Sequence, residues 1–264
     1  MTVSPPLKWH GGKHYLAKRL VALMPAHIHY VEPYFGGGSV LLAKDPEGVS
    51  EVVNDLNGDL MQFWGVLQDP DLFEQFRRRV EAIPFAEVEW RVAAIKRPDT
   101  VLQAVAFFVR CRQSMAGRMK SFAPLSRTRT RRGMNEQASA WISAVDGLPA
   151  VHARLRRVVI LNRPALEVIK SQDGPKTLFY LDPPYLHPTR TAKSVYEYEM
   201  SVKDHEHLLE ALVTLQGRVM LSGYPHELYD SKLAGWTRHD FEIPNHAATA
   251  TTKRLMVESV WCNW

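Results

Sequence analysis

The chain has 264 residues, of which 45% are hydrophobic, and a net charge of +5 at pH 7. This length suits either one α/β domain with an insertion or two small domains. No run of about eighteen apolar residues occurs and the N-terminus lacks the apolar core of a signal peptide, so we expect a cytoplasmic protein. The two cysteines, Cys111 and Cys262, exclude a disulfide framework and a multi-cysteine zinc site.

The N-terminal part predicts an alternation of helix and strand. After the loop KWHGGK, apolar residues at helical spacing predict a helix over 14–24. A short strand over 28–32 follows and ends in the glycine-rich turn of EPYFGGGSV. A second strand over 51–53 ends at Asn54 and Asp55.

The middle of the chain, 60–150, predicts helices instead. Pro70, Pro84 and Pro98 separate amphipathic segments such as LFEQFRRRVEAI and TVLQAVAFFVRC. We interpret this part as an inserted, mostly helical domain.

Strand patterns return in the C-terminal part. The predicted strands are 158–161, 177–181 and 218–221, with helices over 165–170 and 204–215 between them. The stretches TRHDFEI and LMVESVWCNW predict a final hairpin at the sheet edge. This alternation predicts an α/β fold with a doubly wound, mainly parallel sheet.

Residues that follow strands in such a sheet are where ligands bind. Gly36, Gly37 and Gly38 allow a tight turn and a close approach of the backbone to a ligand. Asp55 comes nineteen residues after Gly36, near the spacing of about 20 at which an acidic residue reaches ribose hydroxyls. Together these features indicate a nucleoside-containing cofactor.

Two phosphate-binding motifs are excluded by the letters themselves. The segment GGK at 11–13 is not a Walker A loop, because Leu7 and His14 stand where that motif has Gly and Ser or Thr. The dinucleotide fingerprint fails because Leu41 occupies its third glycine position. A nucleoside without pyrophosphate remains.

The stretch FYLDPPYLHP, 179–188, places Asp182 directly after a predicted buried strand. Pro183 and Pro184 stiffen the backbone, so the Asp182 carboxylate and the Pro183 carbonyl form two fixed acceptors. Two acceptors suit an exocyclic amino group, which has two protons, and Tyr185 offers a ring on which a base could stack. The stretch therefore predicts a methyl transfer in which the amino group of the substrate base attacks the electrophilic methyl group of a cofactor that is a sulfonium nucleoside.

With KWHGGK, EPYFGGGSV, NDLN, DPPY and SGY in this order, the chain resembles the Dam-type family of DNA adenine N6-methyltransferases. The resemblance covers nearly the whole chain. It implies a Rossmann-like methyltransferase fold over 1–59 and 151–264, with a target-recognition domain over 60–150. It also implies S-adenosylmethionine as cofactor, double-stranded DNA as partner, a flipped adenine as substrate, and a location at the nucleoid.

The resemblance also implies roles for individual residues at the positions that match the family's motifs. The resemblance implies catalytic roles for Asp182, Pro183, Pro184 and Tyr185. It implies cofactor contacts for Trp9, Lys13, Glu32, Tyr34, Gly36, Gly38, Asp55 and Asp182. Two positions depart from the family: Tyr34 replaces a usual Phe, and Pro164 stands where many relatives have an acid that receives the amino group of the cofactor's adenine.

A basic stretch without any acid lies inside the predicted insertion. Short hydroxyl side chains interleave it, which suits contacts with phosphates and a few base edges. We therefore expect the stretch to bind DNA rather than to form only a solvated face. The basic residues are Arg110, Arg112, Arg118, Lys120, Arg127, Arg129, Arg131 and Arg132.

The remaining polar candidates favour simpler interpretations. His205 and His207 are two apart on a predicted helix, so we expect helix-surface side chains and no metal site. Tyr196 and Tyr198 could pack or cover an extruded base. Two alternatives stay open: methylation of cytosine N4 or of an amino group in RNA, and a catalytically silent DNA-binding regulator.

Overall fold

A computed structural model describes residues 3–123, 127–186, 199–244 and 255–264. Its contacts divide the chain into two compact units. We call them the helical unit, made of Met1–Pro25, Phe35–Glu51 and Asn57–Asn162, and the sheet unit, made of Ala26–Tyr34, Val52–Leu56 and Arg163–Trp264. The boundaries of a separate recognition domain at 60–150 stay a prediction.

Within the described residues, seven strands form the central sheet, in the order β5-β2-β1-β6-β7-β9-β8. β1 pairs in parallel with β6 and β6 with β7, whereas β9 runs antiparallel to both β7 and β8. This mixed α/β architecture confirms the predicted fold class. The strands are β1 His29–Glu32, β2 Ser50–Asn54, β5 Val158–Leu161, β6 Thr177–Leu181, β7 Arg218–Gly223, β8 Thr237–Pro244 and β9 Leu255–Cys262.

The helices lie largely where periodicity predicts them. A fully buried aromatic group, Phe63, Phe76 and Phe108, forms the centre of the helical unit, with the rings of Phe63 and Phe108 stacked at 5.9 Å. The helices are α1 Ala17–Leu23, α2 Ser39–Ala43, α3 Gly58–Gln68, α4 Pro70–Ala82, α5 Glu87–Val92, α6 Thr100–Arg112, α7 Glu136–Asp146, α8 Leu148–Leu155, α9 Ala165–Gln172, α10 Val202–Leu212 and α11 Glu227–Lys232.

Three charged side chains are buried together in the helical unit. Arg154 on α8 donates two hydrogen bonds to Glu51 at the start of β2, at 2.6 and 2.7 Å. It also donates to the Leu41 carbonyl at 3.2 Å, and Lys44 approaches Glu51 at 3.3 Å. Burial costs these charges their hydration, so the ion pairs are needed to keep them in the interior.

The C-terminal hairpin confirms the predicted edge of the sheet. β8 is the last strand, and its residues alternate between packed and exposed positions. Phe241 is buried against the sheet, whereas Arg238, Asp240 and Glu242 are exposed. Arg238 donates to Asp240 at 2.9 Å along this outer row.

His205 contradicts the prediction of two helix-surface histidines. It is fully buried on α10, where it lies on the same face as Leu208, Leu209 and Leu212. The Tyr229 hydroxyl lies 2.8 Å from its Nδ1. His207 is exposed as predicted. The spacing correctly separated the two side chains, but it could not tell which one joins the apolar face.

Among the helices in the described ranges, none has the length and apolar character that a membrane span requires. The same residues hold no group of three or more His, Cys, Asp or Glu side chains arranged for a metal ion.

Candidate active site

Three polar side chains lie where strands of the sheet unit end. Val31 of β1 pairs with Phe179 of β6, so the residues three further along each strand, Tyr34 and Asp182, leave the sheet at the same edge. Asp55 directly follows β2. Burial raises the pKa of the Tyr34 phenol, and the charge of the nearby Asp55 raises it further. The sheet unit therefore brings Tyr34, Asp55 and Asp182 to one edge.

The end of β2 is tied to its surroundings by Asn54. This side chain is fully buried and donates to the carbonyls of Pro33 and Arg163, each at 3.0 Å. Its oxygen accepts a hydrogen bond from the Arg163 amide at 2.8 Å. Asp55, the next residue, is consequently held by a backbone whose position these three bonds restrict.

Asp182 begins the segment that continues from central strand β6. Its side chain is half-buried, and Pro183 behind it is buried. Burial is the main cause that raises the pKa of both Tyr185 and Tyr229, and the charge of Asp182 adds to each. Asp182 thus lies near two phenols that stay protonated at neutral pH.

Tyr185 is more enclosed than a simple stacking surface would be. Its side chain is 6% exposed, and its hydroxyl donates to the Glu258 carboxyl on β9. The edge of its ring meets Tyr224, with the centroids 4.6 Å apart and the planes at 72°. Glu32, a further predicted site residue of this unit, is also buried and accepts from the Tyr30 hydroxyl at 2.6 Å.

The helical unit brings the glycine turn against Trp9. Gly36 and Gly38 have φ angles of 49° and 68°, which favour glycine. A Cβ atom at Gly36 would lie 2.6 Å from the indole nitrogen of Trp9, and one at Gly37 would lie 2.6 Å from Trp9 Cβ. The turn therefore requires glycine twice, for its conformation and for the close approach of Trp9.

Lys13 lies in the loop that leads from Trp9 to α1. It is 5% exposed, and its ammonium group donates to the Gly11 carbonyl at 2.9 Å. A buried cation on a short glycine-containing loop is held in a defined place, which suits a contact with a bound polar ligand.

Pro164 lies at the N-cap of α9, and its carbonyl accepts from the amides of Glu167 and Val168. The neighbouring Arg163 carbonyl accepts from Asn54. The carbonyls of Arg163 and Pro164, the position that departs from the family, thus already accept hydrogen bonds from within the protein.

The basic stretch separates into two groups. In the first group, each arginine donates a hydrogen bond to another residue of the helical unit. The guanidinium of Arg110 lies 3.6 Å above the Trp90 ring, Arg112 donates to the Ala140 carbonyl at 2.7 Å, and Arg132 donates to Ser139. Burial lowers the pKa of Arg112. Arg110 and Arg112 thus contribute to packing in the helical unit, whereas Arg132 is exposed.

The second group is exposed: Arg118, Lys120, Arg127, Arg129 and Arg131. Arg131 belongs to a small antiparallel hairpin of β3 Thr130–Arg131 and β4 Met134–Asn135 that the sequence did not predict. Its turn places Arg132 and Gly133 at φ angles of 54° and 73°, which is typical of tight two-residue hairpins. The exposed group therefore includes residues on or next to a projecting turn.

Sequence reasoning missed several residues near these sites. Glu258 and Tyr229 come from C-terminal elements, and the pairing of β9 with β7 brings Glu258 to Tyr185. Tyr224 ends the predicted SGY motif, but it was given no role of its own. Lys8 donates to Gln137 at 2.9 Å, and burial, followed by the charge of Arg112, lowers its pKa to about 8. The position of Lys8 next to Trp9 in the KWHGGK motif is the feature of the sequence that could have indicated it. Tyr196 and Tyr198 lie outside the described residues.

Comparison with known proteins shows that the chain matches one protein family over most of its length. The family model for D12 class N6 adenine-specific DNA methyltransferases matches residues 9–251. The match includes the glycine turn, Asp55, the basic stretch and the segment from Asp182 to Tyr185.

Individual relatives are similar over a smaller part. A type II methyltransferase of Lactococcus lactis subsp. cremoris is 33% identical over 26% of this chain and 24% of its own length. A type II methyltransferase of Methanocaldococcus jannaschii is 34% identical over 26% of this chain and 27% of its own. A DNA adenine methylase of Vibrio cholerae is 39% identical over 24% and 22%. The matches thus span about a quarter of each relative.

Proposed function

Because the chain belongs to the D12 class of N6 adenine-specific DNA methyltransferases, we propose that it transfers a methyl group from S-adenosylmethionine to the N6 amino group of a flipped adenine in duplex DNA. The observation that carries the proposal is the place of Asp182. It directly follows central strand β6 and is followed by two prolines and Tyr185. This arrangement supplies fixed acceptors at the edge where an open α/β sheet binds its ligands.

The proposed chemistry needs acceptors for the two amino protons of adenine. The Asp182 carboxylate takes one and the Pro183 carbonyl takes the other, which draws the nitrogen lone pair out of conjugation with the ring. The Asp182 carboxylate would also receive the surplus proton of the amino group once this nitrogen carries the methyl group, and would pass that proton on to water. Acceptors already in place lower the barrier because little reorganisation is needed as charge develops.

S-adenosylmethionine would supply the electrophilic methyl group. The chemistry of the side chains fits this cofactor: Asp55 is a carboxylate for ribose hydroxyls, and the glycines at 36 and 38 hold a tight backbone turn against the rings of Trp9 and Phe35. We propose the cofactor contacts that the sequence motifs imply: Trp9, Lys13, Glu32, Tyr34, Gly36, Gly38, Asp55 and Asp182.

DNA binding is assigned to the exposed part of the basic stretch. Arg118, Lys120, Arg127, Arg129 and Arg131 offer charges to the phosphate backbone, and the hairpin next to them could reach a groove. Arg110 and Arg112 would support this surface through their bonds to Trp90 and Ala140, and Arg132, which is exposed in the hairpin turn, would add its own charge. Flipping a base costs a few kcal/mol, which phosphate contacts and stacking on Tyr185 would offset.

The direct test is methyl transfer from labelled S-adenosylmethionine to unmethylated genomic DNA, followed by nucleoside analysis. We expect label in N6-methyladenine. Label in N4-methylcytosine or in RNA would instead indicate one of the alternative substrates. DNA binding without any transfer would indicate a silent regulator.

Asp55→Ala is expected to weaken cofactor binding by about 10- to 100-fold, because the ribose hydroxyls lose a charged acceptor worth about 1.5–3 kcal/mol. Calorimetry with S-adenosylmethionine measures the dissociation constant. The control is Asp71→Ala, which removes an exposed carboxylate from the first turn of α4. An Asp55 variant that binds as tightly as this control would remove Asp55 from the cofactor site.

Replacement of Arg127, Arg129 and Arg131 together by alanine is expected to weaken DNA binding and leave binding of the cofactor alone unchanged. If each arginine neutralises one phosphate, the plot of log affinity against log salt becomes shallower by about 2.7, since each phosphate contributes about 0.9. Fluorescence anisotropy across a salt series gives this slope.

A matched variant replaces Arg77, Arg78 and Arg79 on α4 and removes the same total charge. Arg77 and Arg78 pair with acidic residues of their own helix at 3.0 to 3.1 Å, whereas Arg129 approaches Glu136 only to 3.9 Å, so the arginines of α4 are expected to contribute less to DNA binding. Equal slopes for the two triple variants would mean that the basic stretch is only a solvated face.

A further inference from the structure

Tyr185 is anchored by its hydroxyl as well as by its ring. The side chain is 6% exposed and its hydroxyl donates to the carboxyl of Glu258, which is itself 7% exposed. Burial, then the charges of Asp182 and Glu258, raise the pKa of Tyr185 well above its usual value, so the phenol keeps the proton that it donates. Stacking with a base needs only the ring, so the bond of the hydroxyl to Glu258 has a purpose other than stacking.

The sheet explains how a C-terminal residue reaches this segment. Gly223 at the end of β7 pairs with Ser259 of the antiparallel strand β9, so Glu258 follows at the level of Tyr224. Tyr224 meets the edge of the Tyr185 ring at 4.6 Å. The Tyr185 ring is therefore held at two places, by Glu258 at its hydroxyl and by Tyr224 at its edge.

A buried carboxyl is costly unless it is hydrogen-bonded, and a hydroxyl that donates to a carboxyl forms one of the stronger bonds of this kind. Ring orientation matters in a transfer reaction, because a displacement of about 1 Å can cost about 10²-fold in rate. The bond between Tyr185 and Glu258 restricts rotation and displacement of the ring.

We propose that Glu258 is a positioning residue, which fixes the plane of the Tyr185 ring through its bond to the Tyr185 hydroxyl and so orients the target base for transfer. This inference rests on the proposed function. Glu258 touches neither the cofactor nor the reacting nitrogen in this role, and it acts through Tyr185 alone.

A double-mutant cycle on kcat tests the inference, with Tyr185→Phe, Glu258→Ala and the double variant assayed at saturating S-adenosylmethionine and DNA. Each single change is expected to lower kcat by about 10- to 100-fold, and the double change no further than the more severe single one, because both remove the same bond. The KM for S-adenosylmethionine is expected to stay near that of the wild type.

Glu258→Gln is expected to restore most of kcat, because the amide oxygen still accepts from the hydroxyl at nearly the same size. Glu242→Gln makes the same change at an exposed position of the adjacent strand β8 and is expected to leave kcat unchanged. If Glu258→Ala fails to fold, Tyr185→Phe and Glu258→Gln still carry the test.

Losses that multiply in the double variant, or a Tyr185→Phe enzyme with wild-type kcat, would overturn the positioning role while the proposed function stands. A Gln variant as slow as the Ala variant would overturn it too. A wild-type protein that transfers no methyl to DNA would overturn the proposed function itself, and the positioning role with it.

Discussion

Asp182→Ala is expected to lower kcat for methyl transfer by at least about 10²- to 10³-fold, the usual effect of removing one group that stabilises developing charge. The carboxylate is the acceptor that we assign to the reacting amino group, and the Pro183 carbonyl alone cannot accept both protons. DNA affinity is expected to remain, because the exposed arginines of the helical unit are untouched. Single-turnover transfer of labelled methyl, beside a binding titration, separates the two effects.

The variant Asp182→Asn tests the contribution of the carboxylate charge separately from that of the side-chain size. It keeps the size of the side chain and one acceptor oxygen but removes the charge, so we expect activity between the wild type and the alanine variant. Transfer by Asp182→Ala at a rate close to the wild type would exclude this residue from the chemistry and leave the mechanism without its main acceptor.

Arg154→Ala is expected to destabilise the protein by about 3–5 kcal/mol, the range found when one partner of a buried ion pair is removed. The Glu51 carboxylate is 1% exposed and would keep only Lys44, at 3.3 Å, as a charged partner. The Leu41 carbonyl would lose a donor as well. Urea unfolding followed by circular dichroism measures the loss.

Arg157→Ala provides the control three residues further along the chain. Arg157 pairs with Glu47 at 3.3 Å, but both side chains are exposed, so the expected effect is below about 1 kcal/mol. If the two variants unfolded at the same urea concentration, the buried cluster would contribute no more than a surface ion pair.

Much of the fold follows from local pattern. The strands at 158–161 and 177–181 lie where the sequence predicts them. A short apolar run between turn residues is typical of a buried strand. Helix α6 extends over Thr100–Arg112, where Asp99 accepts from the Leu102 amide and so defines its start. Local signals of this kind need no knowledge of the rest of the chain.

The candidate site was predictable only in part. Asp55 and Asp182 each follow a strand, so the rule for open sheets brings them to the ligand-binding edge. The bond of Tyr185 to Glu258, 73 residues away, depends on the pairing of β9 with β7, which no local pattern contains. The same holds for Arg112, whose partner Ala140 lies 28 residues away.

The outer row of β8 bears on how copies of the chain meet one another. An open sheet edge has unpaired backbone groups that can form hydrogen bonds with an extended segment of another chain. Pairing of this kind leads to aggregation. Arg238, Asp240 and Glu242 are exposed side chains on one face of this edge strand, and Pro244 at its end has no amide hydrogen to donate. A second chain that docked here would have to desolvate these charges. These charges and the proline thus disfavour strand addition at this edge.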